Sequence, residues 1–192
     1  MAMKYCAKCG ARVSLRVPRN DNRARYVCDA CDTVHYVNPK IVAGCIPEFG
    51  GKILLCQRAI PPRHGYWTLP AGFMETGETT VEAAIRETWE EAKASVEIGS
   101  LFALFSIPHI SQVYIIFRAE LSRDEYHPGT ESLEVALFRQ EEIPWSQLAF
   151  PVISQTLKCY LSDRKDGVFQ THFGDIQDQA PQQPPSGRNR ET

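Results

Sequence analysis

Two Cys-x-x-Cys pairs constrain the first part of this chain more than any other feature. Cys6 and Cys9 are separated by 18 intervening residues from Cys28 and Cys31. Each pair brackets a short turn ending in Gly10 or Asp32, and such a turn brings two sulfurs to one side of a loop. Two of these knuckles supply the four soft ligands of a closed tetrahedral zinc site. Residues 1–38 contain little that could fill a core, so the ion would contribute the folding energy, roughly 10–16 kcal/mol for comparable sites. With every position filled by protein, the role predicted for this zinc is structural. An odd total of seven cysteines, with no apolar leader in MAMKYCAKCG, points to a reducing compartment and predicts a cytoplasmic location.

The remainder divides in two. Residues 39–174 hold nearly all the large apolar side chains, and from Asp175 the text is polar and proline-rich, which predicts a disordered tail over 175–192. Residues 41–48 and 52–59 read as strands joined by Phe49-Gly50-Gly51, 95–109 and 112–121 as a second antiparallel pair, and 133–139 as a further strand. Helical periodicity covers 79–94 and roughly 150–164. This mixture predicts an α/β or α+β sandwich. No apolar run reaches the roughly 18 residues of a membrane helix. With 23 acidic and 21 basic residues and a net charge of −2, no footprint for polyanion binding exists, which argues against a nucleic-acid partner.

The strongest chemical signal is GFMETGETTVEAAIRETWEE, residues 72–91. Thr79 and Glu82 form a capping box that starts a helix. At about 100° per residue, Val81, Ala84, Ile85, Thr88 and Ala92 share one face. Arg86, Glu87, Glu90 and Glu91 fall on the other. At about 6 Å and an effective dielectric of about 20, each like-charge pair costs about 2.8 kcal/mol. On a wet surface, screening removes this cost. In a cleft, a divalent cation is the remedy, and carboxylate oxygens select Mg²⁺ or Mn²⁺. Gly72 and Gly77, just ahead of the helix, allow backbone to approach a ligand closely.

Loop and helix together resemble the signature of the Nudix hydrolases, G-x5-E-x7-R-E-U-x-E-E-x-G-U, with U aliphatic. Gly72, Glu78, Arg86, Glu87, Glu90 and Glu91 match; Thr88, Lys93 and Ala94 depart from it. The resemblance implies a Nudix α/β/α sandwich with a mixed sheet, preceded by a zinc ribbon, that hydrolyses a nucleoside diphosphate linked to another group. It implies that Glu87, Glu90 and Glu91, with the Ala71 carbonyl, hold Mg²⁺, that Arg86 orients these carboxylates, and that Glu78 braces the loop. Glu87, Glu131 or Glu134 would accept the proton of the attacking water.

A zinc ribbon ahead of such a domain is similar to NADH pyrophosphatases, although IPWSQLAFPVIS (143–154) shares only Pro144-Trp145 and Phe150-Pro151 with their diagnostic stretch. NPKIVAGCIPE, HGYWTLPAGFMETGE, ESLEVALF and EEIPWSQLAF resemble the plant chloroplast FAD pyrophosphatases and bacterial relatives more closely. The expected substrate is therefore FAD, cleaved to FMN and AMP, with ADP-ribose or NADH as alternatives. A zinc-ribbon adaptor on an inactive scaffold is the reading from another class. Phe73 and Tyr114 are candidates to stack on a ring, Arg58 to meet phosphate, and Gly72 to give backbone access. By resemblance, a homodimer is expected. No role is assigned to His35, His127 or His172.

Overall fold

The computed structural model describes residues 3–177 and divides into two compact units, Met1–Pro39 and Lys40–Thr192. In the first, strands β1 (Val13–Arg16), β2 (Arg25–Cys28) and β3 (Val34–His35) form an antiparallel sheet. The knuckles close by backbone bonds from Gly10 N–H to the Cys6 carbonyl (2.9 Å) and from Asp32 N–H to the Cys28 carbonyl (3.2 Å). Gly10 and Asp32 both take the left-handed conformation these turns require.

The second unit is an eight-stranded mixed sheet between two helices. Its main path runs β10 (Ser132–Phe138), β5 (Lys52–Arg58), β4 (Lys40–Phe49), β9 (Gln112–Leu121), β8 (Val96–Ile107), β11 (His172–Asp175). The short strands β6 (Trp67–Thr68) and β7 (Ala71–Phe73) attach to β5 and β4. The turn predicted between the first two strands is present, with Gly50 and Gly51 at positive φ. Strand β4 runs parallel to β9 along its length. On its other edge it meets β5 only at Glu48–Phe49, then β7 at Val42–Gly44. That change of partner lets the chain leave the sheet at β7 and enter helix α1 (Thr80–Ala92).

Alternation along the strands divides the core. Ile53 and Leu55 of β5 join Ile46, Phe102 and Leu69 beneath helix α2 (Pro151–Asp166), against Val152, Leu157 and Tyr160. Leu54 and Cys56 point the opposite way, with Cys45, Ala84 and Ala92, beneath α1. Trp67 packs edge-on to Phe138 at 4.9 Å and belongs to the core. Cys45 and Cys56 are buried as small core residues, while Cys159 is half-buried.

Val81 and Ile85 of α1 are exposed; the buried face is Ala83, Ala84, Glu87, Thr88, Glu91 and Ala92. On that face Ala84 packs with Cys45, Phe117 and Ala119 of the sheet. Asp175, assigned to the tail from the sequence, ends strand β11, and Ile176 continues the pairing through its N–H to the Ser106 carbonyl. The rest of the expected tail, 178–192, lies outside the described residues.

Phe102 is 1% exposed and contacts Tyr160 and Phe169 ring to ring. Phe102→Ala should lower unfolding free energy by about 3–5 kcal/mol, read from urea denaturation midpoints at unchanged m-value.

Candidate active site

The site is built where β7, the following loop and α1 meet. Thr79 Oγ1 accepts from Glu82 N–H (3.2 Å) and Glu82 Oε2 from Thr79 N–H (2.7 Å), which fixes the helix start. One turn on, Arg86 gathers the loop. It donates to both oxygens of Glu78 (2.7 and 3.0 Å), to the Phe73 carbonyl (3.2 Å), to Glu87 Oε1 (2.7 Å) and to Glu90 Oε2 (3.2 Å). Glu78 in turn accepts from Glu75 N–H at 2.6 Å. Hydrogen bonds from Arg86 first, then from Glu75, hold the Glu78 carboxyl down at about 2.

Gly72 faces Glu87 so closely that a β-carbon there would displace the carboxylate from the place where Arg86 holds it. Glu87 and Glu91 are 9% and 6% exposed, and Glu90 stands half in solvent. Burial, and next the neighbouring Glu87 charge, push the Glu91 carboxyl up to about 8; burial likewise raises Glu87. The Ala71 N–H reaches Glu91 Oε2 at 3.3 Å. Bonds from Cys45 N–H to the Pro70 carbonyl and from Met74 N–H to the Ile41 carbonyl leave Ala71 in the unbonded register with β4. Its carbonyl therefore points off the sheet edge on the same side as its N–H.

The helix end keeps its turn despite Lys93. That residue adopts left-handed geometry (φ 49°, ψ 27°) and donates to the Trp89 carbonyl. The loop before β10 covers the last carbonyls, with His127 N–H on Ala92 O (2.8 Å) and Gly129 N–H on Glu91 O (2.9 Å). A side chain at Gly129 would collide with the Glu90 carbonyl. Thr88, where the signature has an aliphatic residue, is fully buried and satisfied by the Ala84 carbonyl (2.7 Å) and Cys45 Sγ (3.2 Å).

These elements border a cleft of about 1150 Å³. Glu87, Glu90, Glu91, Arg86, Ala71 and Gly72 line it. Arg58, Phe73 and Tyr114 line it too. Phe73 is 48% exposed, with Lys40 Nζ 4.6 Å from its ring centre. Tyr114 is only 8% exposed, so it offers little ring face for stacking. Arg58 lies over Phe150 at 5.2 Å and donates to the Pro62 carbonyl at 2.9 Å. Glu78 lies behind Arg86 and not on the cleft surface; Glu131 borders the cleft and Glu134 does not. The sequence reading missed Ile107, His109 and Gln112 around the β8–β9 turn, and Ile176 and Gln177 after β11. The apolar–polar spacing of SIPHISQ carried no motif, and the end of the chain was set aside as tail.

The donor set suits a hard divalent cation. Glu91 is a buried carboxylate with one N–H donor and, among the described residues, no ion-pair partner. The glutamate oxygens are drawn toward Arg86 and Ala71 and do not all converge within 4.8 Å, as the cysteine sulfurs do. In the first unit, Cys9 Sγ lies 3.4 Å from Cys28 Sγ and 3.5 Å from Cys31 Sγ, and Cys6 Sγ lies 3.8 Å from Cys31 Sγ. A tetrahedron of zinc–sulfur bonds about 2.3 Å long has edges of about 3.8 Å. Backbone N–H groups of Lys8 and Ala30 point at Cys6 and Cys28 sulfurs (3.3 and 3.4 Å), and His35 Nε2 lies 3.3 Å from Cys6 Sγ, a contact that no spacing pattern signals.

A mixed sheet between two helices, carrying a glycine loop and an acid-bearing helix on a cleft, is the arrangement of the Nudix fold. The NUDIX domain profile matches residues 38–156, and the chain belongs to that family. The zinc-ribbon profile described as Nudix N-terminal matches residues 4–37. The chain is 32% identical over 171 residues to the NAD-capped RNA hydrolase NudC of Vibrio parahaemolyticus, a match covering 84% of this chain but only 62% of that protein. It is 33% identical over 121 residues to the ADP-ribose pyrophosphatase of Methanocaldococcus jannaschii, covering 60% of this chain and 69% of that one. The crystal structure of a NUDIX hydrolase from Nitrosomonas europaea superposes with a TM-score of 0.85 at 53% identity, over 91% of this chain and all of that one. These relatives are named as hydrolases, not as adaptors. Among the described residues no helix is long and apolar enough to cross a membrane.

Two measurements follow. Elemental analysis of purified protein should find about one zinc per chain, and a Cys28→Ser/Cys31→Ser variant should have lost it; wild-type protein free of zinc would refute the assignment. Glu78, with its pKa depressed from 4.5 to about 2 in the fold, contributes stability that is present above about pH 4.5 and lost as pH falls toward 2. Thermal melts at pH 7, 4 and 3 should show Glu78→Gln losing less stability than wild type across that interval.

Proposed function

We propose that this chain hydrolyses the diphosphate bridge of a nucleoside diphosphate linked to a second group, with Mg²⁺ or Mn²⁺ held by Glu87, Glu90, Glu91 and the Ala71 carbonyl. The observation that carries this reading is the burial of Glu87 and Glu91 on the wall of the cleft, with Gly72 set directly against the Glu87 carboxylate. Bound there, the cation would neutralise the diphosphate, polarise phosphorus and lower the pKa of a water. Arg86 keeps Glu87 and Glu90 aimed, and Glu78 keeps Arg86 aimed. Arg58, backed by Phe150, meets the phosphates, and the exposed Phe73 ring receives a base. Glu87 or Glu131, both on the cleft, is the acceptor for the water's proton; Glu134 is dropped from that role.

Adenosine diphosphate joined to a second group is the substrate class we favour. FAD rests on the resemblance of NPKIVAGCIPE and HGYWTLPAGFMETGE to the plant type. The names of the relatives, NAD-capped RNA hydrolase and ADP-ribose pyrophosphatase, favour NADH-like or ADP-ribose substrates instead. The homodimer and the cytoplasmic location rest on resemblance and cysteine usage.

Glu91→Gln should lower kcat/KM by more than about 100-fold, since a Lewis-acid site supplies several kcal/mol, with the circular-dichroism spectrum unchanged. Wild-type turnover in that variant would remove the metal assignment. Rates of AMP release from FAD, NADH and ADP-ribose, measured side by side with Mg²⁺, rank the substrates.

A further inference from the structure

The NUDIX profile ends at residue 156, yet one wall of the cleft comes from later in the chain. Strand β11 pairs parallel with β8, His172 opposite Ala103 and Asp175 opposite Ser106, and Ile176 N–H extends the ladder to the Ser106 carbonyl at 2.8 Å. This register delivers Ile176 and Gln177 to the cleft, on the side lined by Ile107, His109, Ile110 and Gln112. The composition of that wall differs from the acidic side. Ile110 and Ile176 offer apolar faces beside the buried Ile107, while two carboxamides and an imidazole offer donors and acceptors. Among the described residues this wall has no carboxylate, lysine or guanidinium to meet a phosphate, and it suits the faces and polar edges of a heteroaromatic base.

A four-residue strand at a sheet edge needs a second anchor. Asp163, near the end of α2, is 5% exposed. Its Oδ2 accepts from Gln170 N–H (3.0 Å) and lies 2.8 Å from His172 Nε2. Its backbone carbonyl accepts from Val168 N–H (3.2 Å). His172 rests 5.0 Å from the Phe102 ring, and Thr171 Oγ1 donates to the Leu101 carbonyl at 3.0 Å. The bend that returns the chain from α2 to the sheet is thus closed on one buried carboxylate.

We propose that Ile176 and Gln177 determine specificity by holding a heteroaromatic base of the substrate, and that Asp163 is the positioning residue that fixes them through His172 and β11. The proposal rests on the diphosphate-hydrolase reading above. Two readouts on the full chain test it: equilibrium binding of FAD and of NADH without added divalent cation, followed by their fluorescence, and steady-state hydrolysis with Mg²⁺. In Ile176→Ala/Gln177→Ala, Kd and KM should rise roughly tenfold, with kcat within about twofold of wild type. Asp163→Ala should shift Kd and KM in the same direction. Asp163→Asn should restore them, because both bonds end on a single oxygen that an amide also supplies. A Kd in the double variant equal to that of wild type, binding of neither dinucleotide by wild type, or a fall in kcat at unchanged KM would overturn the proposal. Failure of the activity reading would look different: wild-type protein that binds the dinucleotides yet releases no AMP when Mg²⁺ is added.

Discussion

The Arg86 guanidinium is the contact on which the site depends. It joins three carboxylates and a loop carbonyl in one fan of bonds, so the loop after β7 and the helix that follows behave as one piece. Two of those carboxylates, Glu78 and Glu87, are largely shielded from water. A cation in their midst is what makes such crowding tolerable in a chain whose overall stability is only a few kcal/mol. The remedy is incomplete at Glu91. Its charge is disfavoured by burial and by Glu87, and none of the ion pairs of Arg86 includes it. A site whose internal neutralisation stops one acid short is poised for an external cation.

Much of this was legible in the sequence. The glycine turn, the two long strands after it, the capping box and both helices leave strong local signals, because turn chemistry and periodicity act over a few residues. Apolarity does not decide which face of α1 is buried: Val81, Ile85 and Trp89 face outward, while Ala83, Ala84, Glu87, Thr88 and Glu91 face inward. Ala84 packs there with Cys45, Phe117 and Ala119 of the sheet, and the two acids border the cleft. The cleft's second wall was illegible for another reason: pairing of β11 with β8 links residues about 70 apart, and no local pattern encodes it.

The departures from the family signature show how a local rule can yield to its surroundings. A glycine is favoured at a helix end because left-handed backbone costs other residues about 1–2 kcal/mol. Lys93 takes that geometry anyway. The compensation is visible next door, where Gly129 approaches so closely that its N–H caps the Glu91 carbonyl, and His127 caps Ala92. The glycine that a conventional helix end would use is, in effect, displaced to the loop that covers it. Thr88 likewise exchanges an apolar contact for two polar ones, made with a backbone carbonyl and a buried thiol.

This arrangement has a consequence for how the site holds its shape. The loop that caps α1 also carries Thr130 and Glu131 into the cleft, so the helix end and one of the candidate proton acceptors are fixed by the same bonds. The loop before α1 carries Phe73 and is fixed by Arg86. Each flexible segment at the cleft is therefore tied to the one rigid element that bears the acids, and the geometry of the acids is set by packing of α1 on the sheet. The proposed metal ligands, base platform and proton acceptor would then form a single mechanical unit, which is the condition for holding a diphosphate in line with an attacking water.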